Sequence, residues 1–242
     1  MPPGNYYHFG LANALTKSVL KYYMPEDFPS EIKFDINVDG PPLTKSSGSQ
    51  FWPILTAVEA PFHTEPCIVG IYHGNEKPLD SNDLLQYFVE DALKVCGSGI
   101  DIQGDKISCG IGVFICDAPA KAYITDTKGQ NAYFGCSKCM QEGEFKVNRL
   151  TYPETGATLR TDLEIRMVSQ FPLDYLHLMC LGIMKKLLQF RVKGKKNVRM
   201  TNSQLKLATA HLMSLVTSIP KEFARKPRPL KQVNRYKAPK LR

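Results

Sequence analysis

The chain has 242 residues, 43% apolar and 22% charged, the balance of an ordinary soluble globular protein with one substantial core or a core plus a smaller appendage. No run approaches the roughly 18 apolar residues of a membrane span, and the start "MPPGNYYHFG" lacks a secretory signal pattern; without that context, seven cysteines favour reduced thiols or metal ligands over a disulfide framework. The net charge of +8 hides an asymmetry: residues 185–242 carry 17 Lys and Arg against one acid, Glu222, a balance of +16 that leaves −8 on residues 1–184.

Residues 1–31 are expected to form an N-terminal helical segment around "LANALTKSVLKYY", closed by Pro25 and Pro29. In "EIKFDINVDG" the apolar Ile32, Phe34, Ile36 and Val38 alternate with Lys33, Asp35, Asn37 and Asp39. That period of two predicts a strand with one buried face. "DGPP" breaks it and "KSSGSQ" reads as a loop, after which "FWPILTAVE" and "CIVGIYHG" predict two more strands. A helix is predicted over "SNDLLQYFVEDALKVCG", with Ser81 or Asn82 as its cap and Leu85, Phe88, Val89 and Ala92 on one face. "ISCGIGVFIC" then predicts a buried strand ending at Asp117. The order is strand, strand, strand, helix, strand.

Beyond Gly129, "AYFGCSKCMQEGEF" reads as a short strand running into a C-x-x-C knuckle, and residues 146–170 as irregular. "PLDYLHLMCLGIMKKLLQF" predicts an amphipathic helix, with Asp174 near its start and Leu176, Cys180, Ile183 and Leu187 on one stripe. "RVKGKKNVR" is a basic loop, and "TNSQLKLATAHLMSLVTSI" is a further helix stopped by Pro220.

Two constellations bear chemistry. Asp39 and Asp117 each end a strand, and in a β-β-β-α-β unit whose first and fourth strands run parallel side by side they become neighbours. Two hard carboxylates there suit Mg²⁺ or Mn²⁺ and phosphoryl transfer. The plainer alternative makes Asp39 a turn former before Gly40 and Asp117 a strand stop before Pro119, with Asp35 a reserve candidate on the same face. Cys136 and Cys139 have the shape of half a zinc site, and His177 and Cys180 are candidates for the second half, with Asp174 as an orienting or ligating acid. The alternative is a thiol pair with His177 satisfied locally. No Gly-rich phosphate loop and no nucleophile elbow is present in the sequence. The basic residues Lys185, Lys186, Arg191, Lys193, Lys195, Lys196 and Arg199 suit a polyanion, nucleic acid before membrane surface, or else form a solvated tail.

In this order, "NVDGPPLTKSSGSQFWPIL", "GIYHGNEKP", "FICDAPAKAYI", "YFGCSKCMQEGEF", "RMVSQFPLDYLHLMCLGIMKKLL" and "IPKEFARKPRPL" resemble the transposase-derived proteins of animal genomes related to CACTA (En/Spm-like) cut-and-paste transposons. The resemblance spans roughly residues 32–242, and "FPLDYLHLMCLG" is its most specific piece. It implies an α/β, RNase H-like fold: a mixed β-β-β-α-β sheet with a Cys/His insertion and a helical, basic C-terminal part. It also implies a DD(E/D) triad that uses divalent metal to cleave and join DNA. By motif, Asp39 is the first acid and Asp117 the second, and Cys136, Cys139 and His177 belong to the insertion. Relatives carry a Trp-Lys-Ala-Thr-Glu-Phe-Arg-like stretch around the third acid. Its counterpart here, "YKAPKLR" at 236–242, puts Lys240 where the glutamate is expected, beside the helix-breaking Pro239. A degenerate or truncated transposase is therefore expected, the chain stopping before such a fold normally closes.

The expected division is 1–31, a core over 32–135, the insertion and its helix over 136–184, and the basic part over 185–242. DNA is the expected partner and the nucleus the expected location, with Mg or Mn and a structural Zn as cofactors. No membrane partner is expected, and a homo-oligomer is compatible.

Overall fold

The structure, a computed structural model, describes residues 2–41, 43, 48–129, 132–136, 138–146, 148–154, 156–158, 170–172, 174–218 and 227–236, with backbone only at 175–177. The chain divides into two compact units, Met1–Pro172 and Leu173–Arg242.

The first unit is mixed α/β. Its strands are β1 (Asn5–His8), β2 (Glu31–Val38), β3 (Gln50–Ala60), β4 (Cys67–Gly74), β5 (Ile100–Ile102) and β6 (Asp105–Ile115). They form a six-stranded sheet in the order β1-β4-β3-β2-β6-β5. β2 and β6 run parallel, and the other neighbours pair antiparallel. The alternation read in β2 sets its burial: Ile32, Phe34, Ile36 and Val38 are fully buried, while Lys33 to Asn37 at odd positions are not. In β3, Trp52, Ile54 and Val58 join them, and the buried hydroxyl of Thr56 is satisfied by donating to Asp35 O at 3.1 Å. Pro53 lies one residue beyond the last β2–β3 pair, Val38 with Ile54, so its missing N–H costs that ladder nothing.

Two helices, α1 (Leu11–Tyr22) and α2 (Ser81–Ser98), cover the buried face and pack on each other. α1 contributes Leu11, Leu15 and Val19; α2 contributes Leu84, Phe88, Ala92 and Val95. The cap of α2 is Asp80 rather than Ser81 or Asn82, its side chain accepting from Asn82 N at 2.8 Å. Val89, expected on the buried face, is 46% exposed because it lies one residue off the stripe Leu84, Phe88, Ala92, Val95. The expected N-terminal helical segment also supplies β1, an edge strand paired with β4.

A short helix, α3 (Ala118–Ile124), follows β6. The residues expected to form a strand ahead of the knuckle make a turn at 132–134 instead, where Gly135 N bonds to Ala132 O at 2.8 Å. The strands of this region are β7 (Glu144–Lys146) and β8 (Arg149–Thr151), a hairpin that enters the stretch read as irregular.

The second unit opens on a π-helical winding over Tyr175–Met184 that runs into α4 (Lys185–Lys193), followed by α5 (Asn202–Ser214). Thr201 and Gln204 cap α5 reciprocally, at 3.3 Å and 2.9 Å. Cys180, Leu205, Leu230, Val233 and Tyr236 form the core, with Leu181, Leu188 and Val192 packed against it. The stripe expected through Ile183 and Leu187 is displaced: these residues are 42% and 51% exposed. A π winding takes more residues per turn than 3.6, so a stripe drawn at α-helical spacing drifts off the buried side. Among the described residues no helix is long and apolar enough to cross a membrane.

Candidate metal and nucleic-acid site

The site begins with a bulge. Along β2 and β6, Phe34 faces Ile111, but Ile36 faces Phe114 and Asn37 faces Ile115. Two steps of β2 thus match three of β6, and the extra residue is accommodated beside Asp35. Asp35 Oδ1 accepts from Val113 N at 2.9 Å, and a Cβ on Gly112 would stand 2.4 Å from that oxygen, so a larger residue there would displace the carboxylate. The reserve acid thus has one oxygen engaged by the neighbouring strand. Past the bulge, Asn37 Nδ2 donates to Ile115 O at 2.6 Å and ties the two strand ends together.

Asp39 lies two residues past Asn37, and Asp117 two residues past Ile115, so the two acids leave adjacent parallel strands at the same level. Asp39 Oδ1 accepts from Gly40 N at 2.8 Å, and Gly40 passes so close to Trp52 that a Cβ would lie 2.5 Å from its ring. Asp117 caps α3, with Oδ1 accepting from Ala120 N at 2.7 Å. Each carboxylate has one oxygen engaged by backbone, and a carboxylate has acceptor capacity beyond that. The cap and strand-stop role of Asp117 is therefore compatible with a ligand role.

The buried Cys116 thiol reports on both acids. Burial pushes it up to about 12; the Asp117 and Asp39 carboxylates push in the same direction, while a backbone hydrogen bond at Val38 and the Lys121 ammonium oppose. Lys121, four residues after Asp117, is pushed down to about 8, by burial first and by Lys138 second, against Cys116 and Cys136. Its Nζ lies 4.9 Å from the centre of the Phe171 ring. Lys138 Nζ donates to Phe171 O at 3.0 Å, and burial lowers its pKa too. Sequence reasoning missed these two lysines; the spacing from Asp117 to Lys121 at the start of a helix was the available signal.

Cys136 and Cys139 come together, with sulfurs 3.2 Å apart. Of the second half of the expected zinc set, Cys180 is fully buried in the apolar core of the second unit, and the His177 side chain lies outside the described residues. Among the described residues, which include all seven cysteines, no disulfide is formed. None of the described residues form a group of three or more His, Cys, Asp or Glu arranged to hold a metal. The donor chemistry of Asp39 and Asp117 fits Mg²⁺ or Mn²⁺, which need one or two carboxylates and keep water or phosphate oxygens for the rest. Lys240 lies outside the described residues.

In the basic stretch, Lys186, Arg191, Lys193, Lys195, Lys196 and Arg199 are exposed and Lys185 is half-buried. Compared with known proteins, the chain matches no protein-family model and no curated protein sequence.

Proposed function

We propose that the first unit is an RNase H-like, transposase-derived core that holds Mg²⁺ or Mn²⁺ on Asp39 and Asp117 for DNA strand cleavage and transfer. The observation that carries this reading is the register: two acids reach the same level of adjacent parallel strands, and only because a bulge shifts β6 by one residue. Sheet order supports it as well, since the first three strands of the β-β-β-α-β unit lie in succession and the fourth sits parallel to the first. A bound ion would polarise a phosphodiester and supply an activated water. The chain's own part is to orient the carboxylates: Gly40 N and Ala120 N each fix one oxygen, and Asn37 locks the strand ends. The test is strand nicking of a DNA duplex in Mg²⁺ or Mn²⁺. Cleavage that needs the metal and is lost in Asp117→Asn supports the reading, whereas cleavage undiminished in that variant overturns it.

A second reading has its own observation. Lys240 stands where the resemblance puts the third acid, and the exposed basic residues 186–199 suit a transposon-derived nucleic-acid-binding module without catalysis, with Cys136 and Cys139 as part of a zinc-stabilised interaction surface. Duplex affinity that falls steeply with salt, without any nicking, selects this reading, because Lys and Arg contacts to phosphate release counterions.

A further inference from the structure

Two cations beside the strand-end acids have no part in the metal chemistry. Lys121 stands one helical turn beyond the cap Asp117, an i, i+4 spacing that puts both on one side of α3. Phe171 is buried and stacked on Phe114 of β6, with ring centres 5.1 Å apart. This one anchored residue holds both ammonium groups: Lys121 over its ring at 4.9 Å, Lys138 on its carbonyl oxygen at 3.0 Å. Asp117 stands level with Asp39 by the strand register, so Lys121 on α3 and, through Phe171, Lys138 lie next to the strand-end acids. Both side chains are half-buried and gathered on one residue, and like charges held so repel one another, which by itself is unfavourable. An anion seated between them removes that repulsion.

We propose that Lys121 and Lys138 form a phosphate-binding site beside Asp39 and Asp117, positioned to seat a phosphodiester of the nucleic-acid strand. The charge class of the ligand follows from the lysine pair; its identity as a nucleic-acid phosphate rests on the strand-end reading given above. The site differs in kind from the basic stretch at 186–199. There, exposed side chains meet a polyanion without fixing it, whereas here Phe171 fixes two half-buried ammonium groups, and lysine binds phosphate as a point charge.

The experiment uses the full chain. Lysine Cε signals are followed by NMR as inorganic phosphate is titrated at constant ionic strength, with chloride as control. Binding of a short DNA duplex is measured in parallel. Phosphate is expected to shift the Lys121 and Lys138 signals saturably, and Lys138→Gln is expected to abolish the response at Lys121. Lys121→Gln is expected to weaken duplex binding by about three- to tenfold and to reduce the slope of log K against log salt by about one. Lys121→Arg, which keeps the charge, retains the binding, and unchanged urea midpoints show that the variants fold. A response no greater than that of chloride overturns the proposal, as does duplex binding unaffected by Lys121→Gln. Lysine signals that move in Cys136→Ser but not with phosphate overturn it too, since the pair then serves the Cys136 sulfur. Metal-dependent nicking alongside a silent phosphate titration removes this site and leaves the nuclease reading. A phosphate response without nicking keeps the site and removes that reading.

Discussion

The carboxylate of Asp35 accepts the backbone N–H of Val113 at 2.9 Å, at the point where β6 carries one residue more than β2. That contact fills the bulge, and the bulge is what brings Asp117, rather than Cys116, level with Asp39. Replacing Asp35 by Ala leaves the Val113 N–H without its charged partner. The expected cost is about 1–3 kcal/mol in urea unfolding, with a parallel loss of metal affinity at Asp39 and Asp117. Gly112→Ala is expected to act in the same direction, because its new Cβ meets Asp35 Oδ1. If Asp35→Ala is as stable as the native chain and binds metal equally well, the bulge does not set the site.

The capping role of Asp117 and the metal-ligand role proposed for it can be separated by chemistry. Asn is as good a helix cap as Asp, so Asp117→Asn is expected to unfold within about 0.5 kcal/mol of the native chain while losing divalent-metal binding. Asp117→Ala loses both, with a stability cost of about 1 kcal/mol for α3. Thermal unfolding with and without Mn²⁺ checks both variants. Loss of stability in the Asn variant equal to that in the Ala variant would show that the charge, not the cap, holds α3.

Far from the strand ends, Asp91 Oδ2 receives two hydrogen bonds, from His8 Nε2 and from Leu11 N, both at 2.9 Å, and so joins β1, α1 and α2. Burial raises its pKa, but the His8 hydrogen bond, the Leu11 N–H and the charges of His8 and Lys94 outweigh burial and hold it below the ordinary carboxylate value. A carboxyl whose folded pKa lies below its unfolded pKa contributes stability that is present above the unfolded pKa and lost as pH falls through the folded one. The urea midpoint is therefore expected to drop in the acid range, with a shallower acid-side drop in Asp91→Asn. Identical acid profiles for the two proteins would contradict this.

The Cys136 and Cys139 sulfurs, 3.2 Å apart, are too far apart for a disulfide bond, and as thiolates they supply half of the four-ligand set that a structural zinc takes. Protein purified without chelator is expected to carry about one zinc per chain, released by Cys136→Ser. Metal analysis decides the matter. Zinc-free native protein whose melting temperature ignores added zinc would remove the site.

Much of the first unit was readable because its signals are local. The alternation from Ile32 to Val38 sets one buried face, and the apolar periodicity of 81–97 gave α2 to within a residue. β1 was not readable: four residues at a sheet edge are too few for a period to emerge, and Tyr6 and Tyr7 sit in a segment dominated by α1. The bulge was invisible for a different reason, since a one-residue excess exists only relative to a partner strand. The parallel neighbouring of the strands that end before Asp39 and Asp117 followed from strand order, but Asp35, which sits at the bulge, read as one more acid on the same face. In the second unit the π winding defeated a stripe drawn at α-helical spacing, so Cys180 was placed correctly on the buried side while Ile183 and Leu187 were not. Lys121 and Lys138 were missed because Phe171, which gathers them, is distant from both in sequence.

Mn²⁺ titration of the native chain, Asp39→Asn, Asp117→Asn and the double variant, read by the paramagnetic signal of the free ion, tests the pairing of the two acids most directly. The native chain is expected to bind Mn²⁺ at a site that each single variant weakens at least tenfold, with the double variant little worse than either single one, because both acids serve one site. Binding that survives in both single variants would show that Asp39 and Asp117 do not share a metal.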